Sequence, residues 1–287
     1  MRRAVIDVGT NTVKLLVADV EGGHVTPVSS LDHTTRLGEG VDESRRLLGA
    51  AIARTVQAIS DFVNEAHRSG TQDVIVLTTS AVREAENRSE FLDGVRCKCG
   101  LEVQVITGER EAELIFHGVS SDPEWSTQPL LVVDVGGGSV EFIQGARGKV
   151  ERLQSLPLGA VRLAERYGDD FVELAGFLRR TLHESLTGYD GRGRRVIGTG
   201  GTMTTLAQIE RGRADHVSFS QAQLRALVAR LNVLPLAERK KVPGLPPERA
   251  DIIVAGGMVF VVAMELLGAE VLTVSVRNLR YGALLSA

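Results

Sequence analysis

Aromatic residues are scarce in this chain of 287 residues, since eight Phe, three Tyr and one Trp amount to 4% of it. A surface that binds single-stranded nucleic acid by stacking bases on rings needs more of them. The formal net charge of −3 at pH 7 provides no general attraction to nucleic acid or to an anionic membrane. We therefore expect no nucleic acid and no membrane among its partners. A polyanionic ligand would need a local basic site or a metal ion.

Cysteine is nearly absent, and histidine is dispersed. The two cysteines, Cys97 and Cys99, stand one residue apart. At strand-like positions their side chains would point to opposite faces, so a disulfide between them would be strained. The six histidines include no pair at metal-ligand spacing. These features favour two reduced thiols in a cytoplasmic protein and argue against a disulfide scaffold or a histidine-based zinc site.

Long apolar runs are missing as well. The longest extends from Ile252 to Met264, between Asp251 and Glu265. It is shorter than the roughly 20 residues that a membrane-spanning helix needs, so it predicts a buried core helix. The apolar run after the basic start of the chain is broken at Asp7. No targeting segment is predicted, and we expect a cytoplasmic location.

Glycine, by contrast, is abundant at 31 residues, and it marks an internal repeat. A strand-like run ends in Asp7-Val8-Gly9, and a second one ends in Asp134-Val135-Gly136. When the two are overlaid, Thr12 falls on Ser139 and Lys14 on Glu141. The order of predicted elements after each turn is also the same, which indicates a duplication. The sequence therefore predicts an α/β protein with domains at residues 1–122 and 123–287.

The periodicity of apolar residues gives the expected elements. Strands are predicted at residues 4–6, 13–20, 25–30, 73–79, 101–106, 130–133, 140–143, 150–154, 195–197 and 271–275. Helices are predicted at residues 47–67, 80–93, 109–119, 159–167, 170–186, 202–209, 220–232, 249–267 and 279–285. Short strands that alternate with helices favour parallel α/β sheets.

Three glycine-rich turns are candidate phosphate-binding loops. Glycine lets successive backbone amides approach a phosphate, and hydroxyls add further donors. Each turn alone could be a tight structural hairpin, but matching turns in two halves favour a phosphate site in a cleft between domains. The candidate residues are Gly9, Thr10, Asn11 and Thr12, then Gly136, Gly137, Gly138 and Ser139, and finally Gly200, Gly201 and Thr202 at the start of a predicted helix.

Three side chains near these turns have two interpretations each. If Ser80 caps its helix, Arg83 occupies the third helical position, where the helix dipole disfavours a cation. It is then either solvated or facing an anion. Glu111, in the first turn of its helix, either compensates the dipole or acts as a general base. Asp134 ends a strand, which is a common place for a metal-binding carboxylate and also for a structural one.

The motifs together resemble the exopolyphosphatase and guanosine pentaphosphate phosphohydrolase family, within the superfamily of actin, sugar kinases and heat-shock chaperones. They follow the family's order over nearly the whole chain. The matching stretches are residues 4–16 (AVIDVGTNTVKLL), 36–40 (RLGEG), 78–83 (TTSAVR), 107–119 (TGEREAELIFHGV), 132–141 (VVDVGGGSVE), 156–161 (LPLGAV), 198–202 (GTGGT) and the segment from Arg249 onward.

This resemblance implies a fold and roles for individual residues. The fold would be two duplicated actin-like, ribonuclease H-like domains with an interdomain cleft. Glu111 would be the general base for the attacking water. Asp134 and Glu141 would hold Mg²⁺ or Mn²⁺. The glycine loops, Lys14 and Arg83 would contact phosphate.

The chain departs from the family pattern at several positions. Thr10 and Thr12 stand where Ser is common, which keeps the hydroxyls. Val140 replaces a common Thr, which would remove one contact to phosphate or water. Tyr281 stands where the family usually has Glu, and this change would alter the packing of the last helix against the cleft. The helical domains of longer members are missing, which predicts short polyphosphate chains as substrates.

The leading hypothesis is a magnesium-dependent hydrolase that releases terminal phosphate from short polyphosphate or from guanosine pentaphosphate. One alternative is an ATP-using kinase or ATPase of the same superfamily. Another is a regulator that binds guanosine tetraphosphate or polyphosphate with little turnover. A pure binding protein would not need the carboxylates of Glu111, Asp134 and Glu141. A homodimer is a further expectation.

Overall fold

The computed structural model describes residues 1–286, and its N-terminal half forms a five-stranded mixed sheet. The strands are β1 (Arg2–Val8), β2 (Thr12–Glu21), β3 (His24–Thr34), β4 (Val74–Thr78) and β5 (Val103–Val105). The helices are α1 (Val41–Ser44), α2 (Gly49–Arg68), α3 (Ser80–Glu84), α4 (Arg88–Cys99) and α5 (Gly108–Ser120). The sheet has the order β3-β2-β1-β4-β5, in which β4 and β5 continue parallel to β1.

The C-terminal half repeats this plan with a six-stranded sheet. Its strands are β6 (Pro129–Val135), β7 (Val140–Ala146), β8 (Lys149–Leu156), β9 (Arg195–Thr199), β10 (Ser218–Ser220) and β11 (Val271–Val274). Its helices are α6 (Ala160–Tyr167), α7 (Phe171–Ser185), α8 (Gly200–Arg211), α9 (Gln221–Asn232), α10 (Leu236–Arg239), α11 (Ile253–Leu266) and α12 (Leu279–Ser286). The sheet order is β10-β11-β9-β6-β7-β8, so β9-β6-β7-β8 corresponds to β4-β1-β2-β3.

The register of the two central hairpins confirms the duplication. Asp7 pairs with Lys14 across β1 and β2, and Asp134 pairs with Glu141 across β6 and β7. The turns close in the same way, because the Gly9 amide donates to the Thr12 carbonyl at 3.2 Å and the Gly136 amide donates to the Ser139 carbonyl at 3.0 Å. The predicted α/β class with two duplicated domains is therefore confirmed. The boundary expected between residues 122 and 123 falls in the turn between α5 and β6.

The apolar run near the C-terminus forms α11, which is buried almost along its whole length in the core of the second domain. This confirms the predicted core helix, although it begins at Ile253 rather than at residue 249, because Arg249 ends a separate short 3₁₀ turn at Pro247–Arg249. Within residues 1–286, no helix combines the length and apolarity that crossing a membrane requires.

Two details of the sequence-based prediction are wrong. The helix expected at residues 80–93 is divided into α3 and α4, because Ala85 adopts an extended backbone and the Asn87 side chain bonds to the backbone of Leu47. Cys97 and Cys99 lie on helix α4 rather than on a strand, and both are free thiols, as expected. The sequence analysis also missed the short elements α1, α10 and β10.

Helices α5 and α12 pack against each other between the two sheets. Their apolar side chains share one buried cluster with residues of both sheets, such as Val5 of β1 and Val132 of β6. The helices cross at glycines: a Cβ on Gly118 would lie 2.1 Å from the carbonyl oxygen of Asn278, and one on Gly282 would lie 1.9 Å from that of Leu114. Only glycine therefore fits at the crossing point on each helix.

We expect Gly282→Ala to lower the free energy of unfolding by roughly 3 kcal/mol, because the added methyl meets backbone that cannot rotate away. Urea denaturation measures this change. Gly49→Ala is the matched control, since no atom lies within 4 Å of that Cβ at the start of α2. Helix propensity predicts a gain of at most about 1 kcal/mol there. Equal midpoints for Gly282→Ala and the wild type would contradict the proposed close crossing.

Candidate active site

The first two glycine turns face each other across a cleft between the domains. A Cβ on Gly138 would lie 2.5 Å from the hydroxyl oxygens of both Ser80 and Thr10, so only glycine permits this approach. The cleft encloses a cavity of about 90 Å³. The predicted site residues that line it are Gly9, Thr10, Asn11, Thr12, Lys14, Glu111, Asp134, Gly136, Gly137, Gly138, Ser139, Glu141, Gly200, Gly201 and Thr202.

Four carboxylates line this cleft. Asp7 and Asp134 lie on the equivalent strands β1 and β6, Glu141 lies on β7, and Glu111 lies in the first turn of α5. Glu111 and Asp134 are each 8% exposed, and Glu141 is 1% exposed. Ser155 on β8 donates a hydrogen bond of 2.8 Å to Glu141. So much buried negative charge is costly for a folded protein unless a cation or a proton compensates it.

The pKa values of these acids reflect that cost. Burial, and then repulsion from Asp7, raise the pKa of Asp134 to about 6, although Lys14 opposes the change. Burial, and then repulsion from Asp134, raise the pKa of Glu141 to about 8. Burial, and then Glu141, also raise the pKa of Glu111 well above its ordinary value. The cleft therefore favours protons or cations over bare carboxylates.

Arg83 reaches the site from α3 without lining the cavity. Its Nη1 donates to the Glu111 carboxylate at 3.2 Å and to the Ile106 carbonyl at 3.0 Å. The anion that Arg83 faces is thus a carboxylate of the protein itself, and 24% of its side chain remains exposed. Thr107, which accepts a hydrogen bond from the Arg110 amide, caps the helix that carries Glu111. The ion pair and the cap together fix the direction of Glu111.

Cations also reach the cleft. Burial, and then the charges of Arg249 and Arg280, lower the pKa of Lys14 to about 8. Arg249 donates from Nη2 to the Thr12 hydroxyl at 3.2 Å, and its guanidinium lies against the backbone of Gly201. This bond uses one of the five N–H donors of the guanidinium. Lys14 and Arg249 thus place positive charge beside the first and third glycine turns.

The donor set fits a magnesium ion that takes its remaining ligands from water and from the substrate. Among residues 1–286, no three His, Cys, Asp or Glu side chains converge into a complete metal cage. Mg²⁺ commonly takes only one or two carboxylates and completes its shell with water and substrate oxygens. Asp134 and Glu141 pair across adjacent strands and supply that number, and their raised pKa values show uncompensated charge that a cation would relieve.

Comparison with known proteins places this chain in a family. The profile of the Ppx/GppA phosphatase family matches residues 16–287. The chain belongs to this family. Exopolyphosphatase 1 of Mycobacterium tuberculosis is 34% identical to it over 302 residues, which cover 99% of this chain and 88% of that protein.

Solved structures of Ppx/GppA proteins agree. A family member from Aquifex aeolicus superposes with a TM-score of 0.83 at 30% identity, over 100% of this chain and 97% of that one. An exopolyphosphatase from Cytophaga hutchinsonii superposes with a TM-score of 0.90 at 28% identity, over 99% of this chain and 96% of that one. The resemblance inferred from the motifs and the two-domain actin-like fold are both confirmed.

Two departures from the Ppx/GppA pattern have a structural explanation. Val140 is fully buried in the apolar core of the second domain and does not line the cleft. The expectation that it removes a contact to phosphate or water is therefore wrong, because the side chain points to the core. Tyr281 is buried on α12, with the guanidinium of Arg277 5.5 Å from the ring centroid. It fills space in the cluster between the sheets.

Sequence reasoning missed two side chains of this Ppx/GppA cleft. Asp7 was noted only as the repeat partner of Asp134, and that correspondence could have identified it as a site residue. Arg249 lies outside the three glycine turns, and its sequence surroundings resemble an ordinary proline-rich joint. Only the fold brings it to Thr12, which is 237 positions away in the chain.

Asp134→Asn should stabilise the protein in buffer that contains a chelator. The pKa of Asp134 is raised on folding from 3.8 to about 6. Its ionisation therefore lowers the free energy of unfolding only above about pH 3.8, and this loss grows until about pH 6. We expect the variant to gain about 3 kcal/mol over the wild type at pH 7.5 and almost nothing at pH 4. Urea denaturation at both pH values measures this difference. Asp93→Asn, on the surface of α4, is the control, and a gain that does not depend on pH would refute the assignment.

Proposed function

We propose that this protein is a phosphoanhydride hydrolase that releases terminal phosphate from inorganic polyphosphate. The observation that carries the proposal is the convergence of two phosphate-loop hairpins on one cleft with Glu111, Asp134 and Glu141. The relatives named exopolyphosphatase support the same reaction. The reaction requires a place for the phosphoryl group, neutralisation of its charge and an oriented water.

Binding of the terminal phosphate is assigned to the loops and the nearby cations. The turns at residues 9–12 and 136–139 both line the cavity, and so does the start of α8, where the first amides of the helix have no partner within it. Lys14 and Arg249 contribute positive charge on the side of the first loop. Donors on several sides fix the phosphoryl group in one orientation, which is the main contribution a protein makes to this chemistry.

Glu111 is proposed as the group that positions and deprotonates the attacking water. Its raised pKa makes its ionised form a stronger base than an ordinary carboxylate. Arg83 holds it by an ion pair of 3.2 Å, so that the carboxylate is fixed before the substrate arrives. The same arginine would lie close to a phosphate in the cleft.

Asp134 and Glu141 are proposed to hold Mg²⁺ or Mn²⁺. When bound, the cation supplies charge neutralisation to phosphate oxygens that the protein's own donors do not reach. If this assignment is correct, added magnesium should remove most of the stability difference between Asp134→Asn and the wild type, because it compensates the carboxylate only in the latter.

Short phosphate chains or guanosine pentaphosphate are the proposed substrates. A long polyanion needs many cations, and several basic residues outside the cleft already pair with acidic side chains. Arg194 pairs with Glu151, Arg195 with Glu124, and Lys241 with Glu238. The affinity for phosphate is thus concentrated in the cleft, and a homodimer is the remaining way to extend it.

The two alternatives make different demands on Glu111. A kinase of this superfamily would transfer phosphate to an acceptor other than water, and a binding regulator would need no base at all. The position of Glu111 on the cavity wall favours an enzyme with a general base over a binding regulator. Phosphate release measured beside equilibrium binding, with polyphosphate, guanosine pentaphosphate and ATP in parallel, separates the three.

Glu111→Gln should lower kcat by about 10²- to 10⁴-fold and keep substrate affinity, because the amide preserves shape but cannot accept a proton. Phosphate release and equilibrium binding of tripolyphosphate measure the two quantities. Glu113→Gln is the matched control on the same helix, since Glu113 pairs only with Arg110 at the surface. Activity of Glu111→Gln near that of the control would return Glu111 to the role of a helix-end charge.

The preference for short chains is tested by initial rates at equal concentrations of chain ends. We expect kcat/KM for tripolyphosphate to equal or exceed that for a polymer of several hundred phosphates, because contacts beyond the cleft add little affinity. A clear preference for the long polymer, with many phosphates released per encounter, would contradict this expectation. It would point instead to a channel formed with a partner subunit.

A further inference from the structure

One arginine outside the predicted site joins the two sides of the cleft. Arg162 lies in the first turn of α6, and only 14% of its side chain is exposed. Its Nε donates to the Gly138 carbonyl at 3.2 Å, and its Nη2 donates to both carboxylate oxygens of Glu84 at 3.0 and 2.9 Å. Its Nη1 donates to the Asp42 carboxylate. The guanidinium therefore holds three acceptors at once.

These acceptors belong to different parts of the molecule. Gly138 lies in the second glycine turn, which belongs to the second domain, whereas Asp42 and Glu84 lie on α1 and α3 of the first domain. The planar guanidinium has donors in a fixed fork that matches such an arrangement, and a lysine ammonium does not. Charge-assisted hydrogen bonds of this kind are stronger than neutral ones.

The contact with Glu84 connects Arg162 to the helix that carries Arg83. Glu84 follows Arg83 on α3, and it accepts a hydrogen bond of 2.7 Å from the Ser80 hydroxyl. Ser80 in turn packs against Gly138 beside Thr10. Arg162 thus fixes the second glycine turn to the short helix from which Arg83 holds Glu111.

We propose that Arg162 is a positioning residue that couples closure of the cleft to the placement of the second glycine turn and of Arg83. It contacts no reacting atom. The proposal rests on the proposed function for its kinetic effect, but its effect on the order of the loop stands independently of any substrate.

Other contacts that cross the cleft make the test specific. Arg36 pairs with Asp251 at 2.8 Å, and the Gly40 amide donates to Glu165 at 3.0 Å. These bonds and the helices between the sheets hold the domains together without Arg162. Its loss should therefore disturb the loop and α3 rather than unfold the protein.

The first measurement is hydrogen–deuterium exchange of the protein without substrate. In Arg162→Met we expect faster exchange at residues 80–84 and 135–140 and around Asp42, and wild-type exchange elsewhere. Arg166→Met is the matched control: this exposed arginine on the same helix lies over the rings of Tyr167 and Phe177. Wild-type exchange at residues 80–84 and 135–140 in Arg162→Met would overturn the proposal, as would an equal increase in the control.

The second measurement is phosphate release from tripolyphosphate with magnesium chloride. Loss of charge-assisted hydrogen bonds predicts a kcat about 10- to 100-fold below that of Arg166→Met, measured at a temperature at which both variants are fully folded. Arg162→Lys should recover only part of this loss, and its full recovery would show that charge without the fork suffices, against the proposal. If kcat falls only in proportion to the loss of folded protein, Arg162 has a structural role and the proposal is wrong.

A double-mutant cycle with Glu84→Gln tests the coupling itself. The double variant should be no slower than Arg162→Met, since both changes break the same link. Independent effects that multiply would overturn the coupling to α3. If the wild type releases no phosphate from any polyphosphate but the exchange pattern is as expected, the proposed function fails and the positioning of the loop by Arg162 stands.

Discussion

Burial of negative charge is the constraint on which the rest of this structure depends. Asp7, Glu111, Asp134 and Glu141 share one small cleft, and their mutual repulsion and desolvation cost stability in the free protein. Lys14, Arg83 and Arg280 offset part of that cost. The remainder is a driving force for any ligand that brings a cation, so the instability of the free site and its affinity have the same physical origin.

The architecture keeps those charges together by surrounding them with rigid elements. Helices α5 and α12 cross through paired glycines between the sheets, and this contact fixes the helix that carries Glu111 relative to both hairpins. The cross-cleft bonds of Arg162 and Arg36 add ion pairs between the two domains. The domains are thus joined both by packed apolar side chains and by ion pairs.

Much of the fold was predictable because its signals are local. Period-two and helical patterns, the glycine turns and the repeat of Asp7 in Asp134 predicted most elements and the duplication. Arg249 and Arg162 were not predictable, because their partners are far away in the sequence and no local rule marks them. Val140 was misjudged, since the face to which a strand residue points depends on register at the turn.

The duplicated hairpins match in backbone but not in charge. Lys14 and Glu141 occupy equivalent positions, so one hairpin presents a cation where the other presents an anion. The two walls of the cleft therefore differ in charge, and any ligand bound between them meets a cation on one side and an anion on the other.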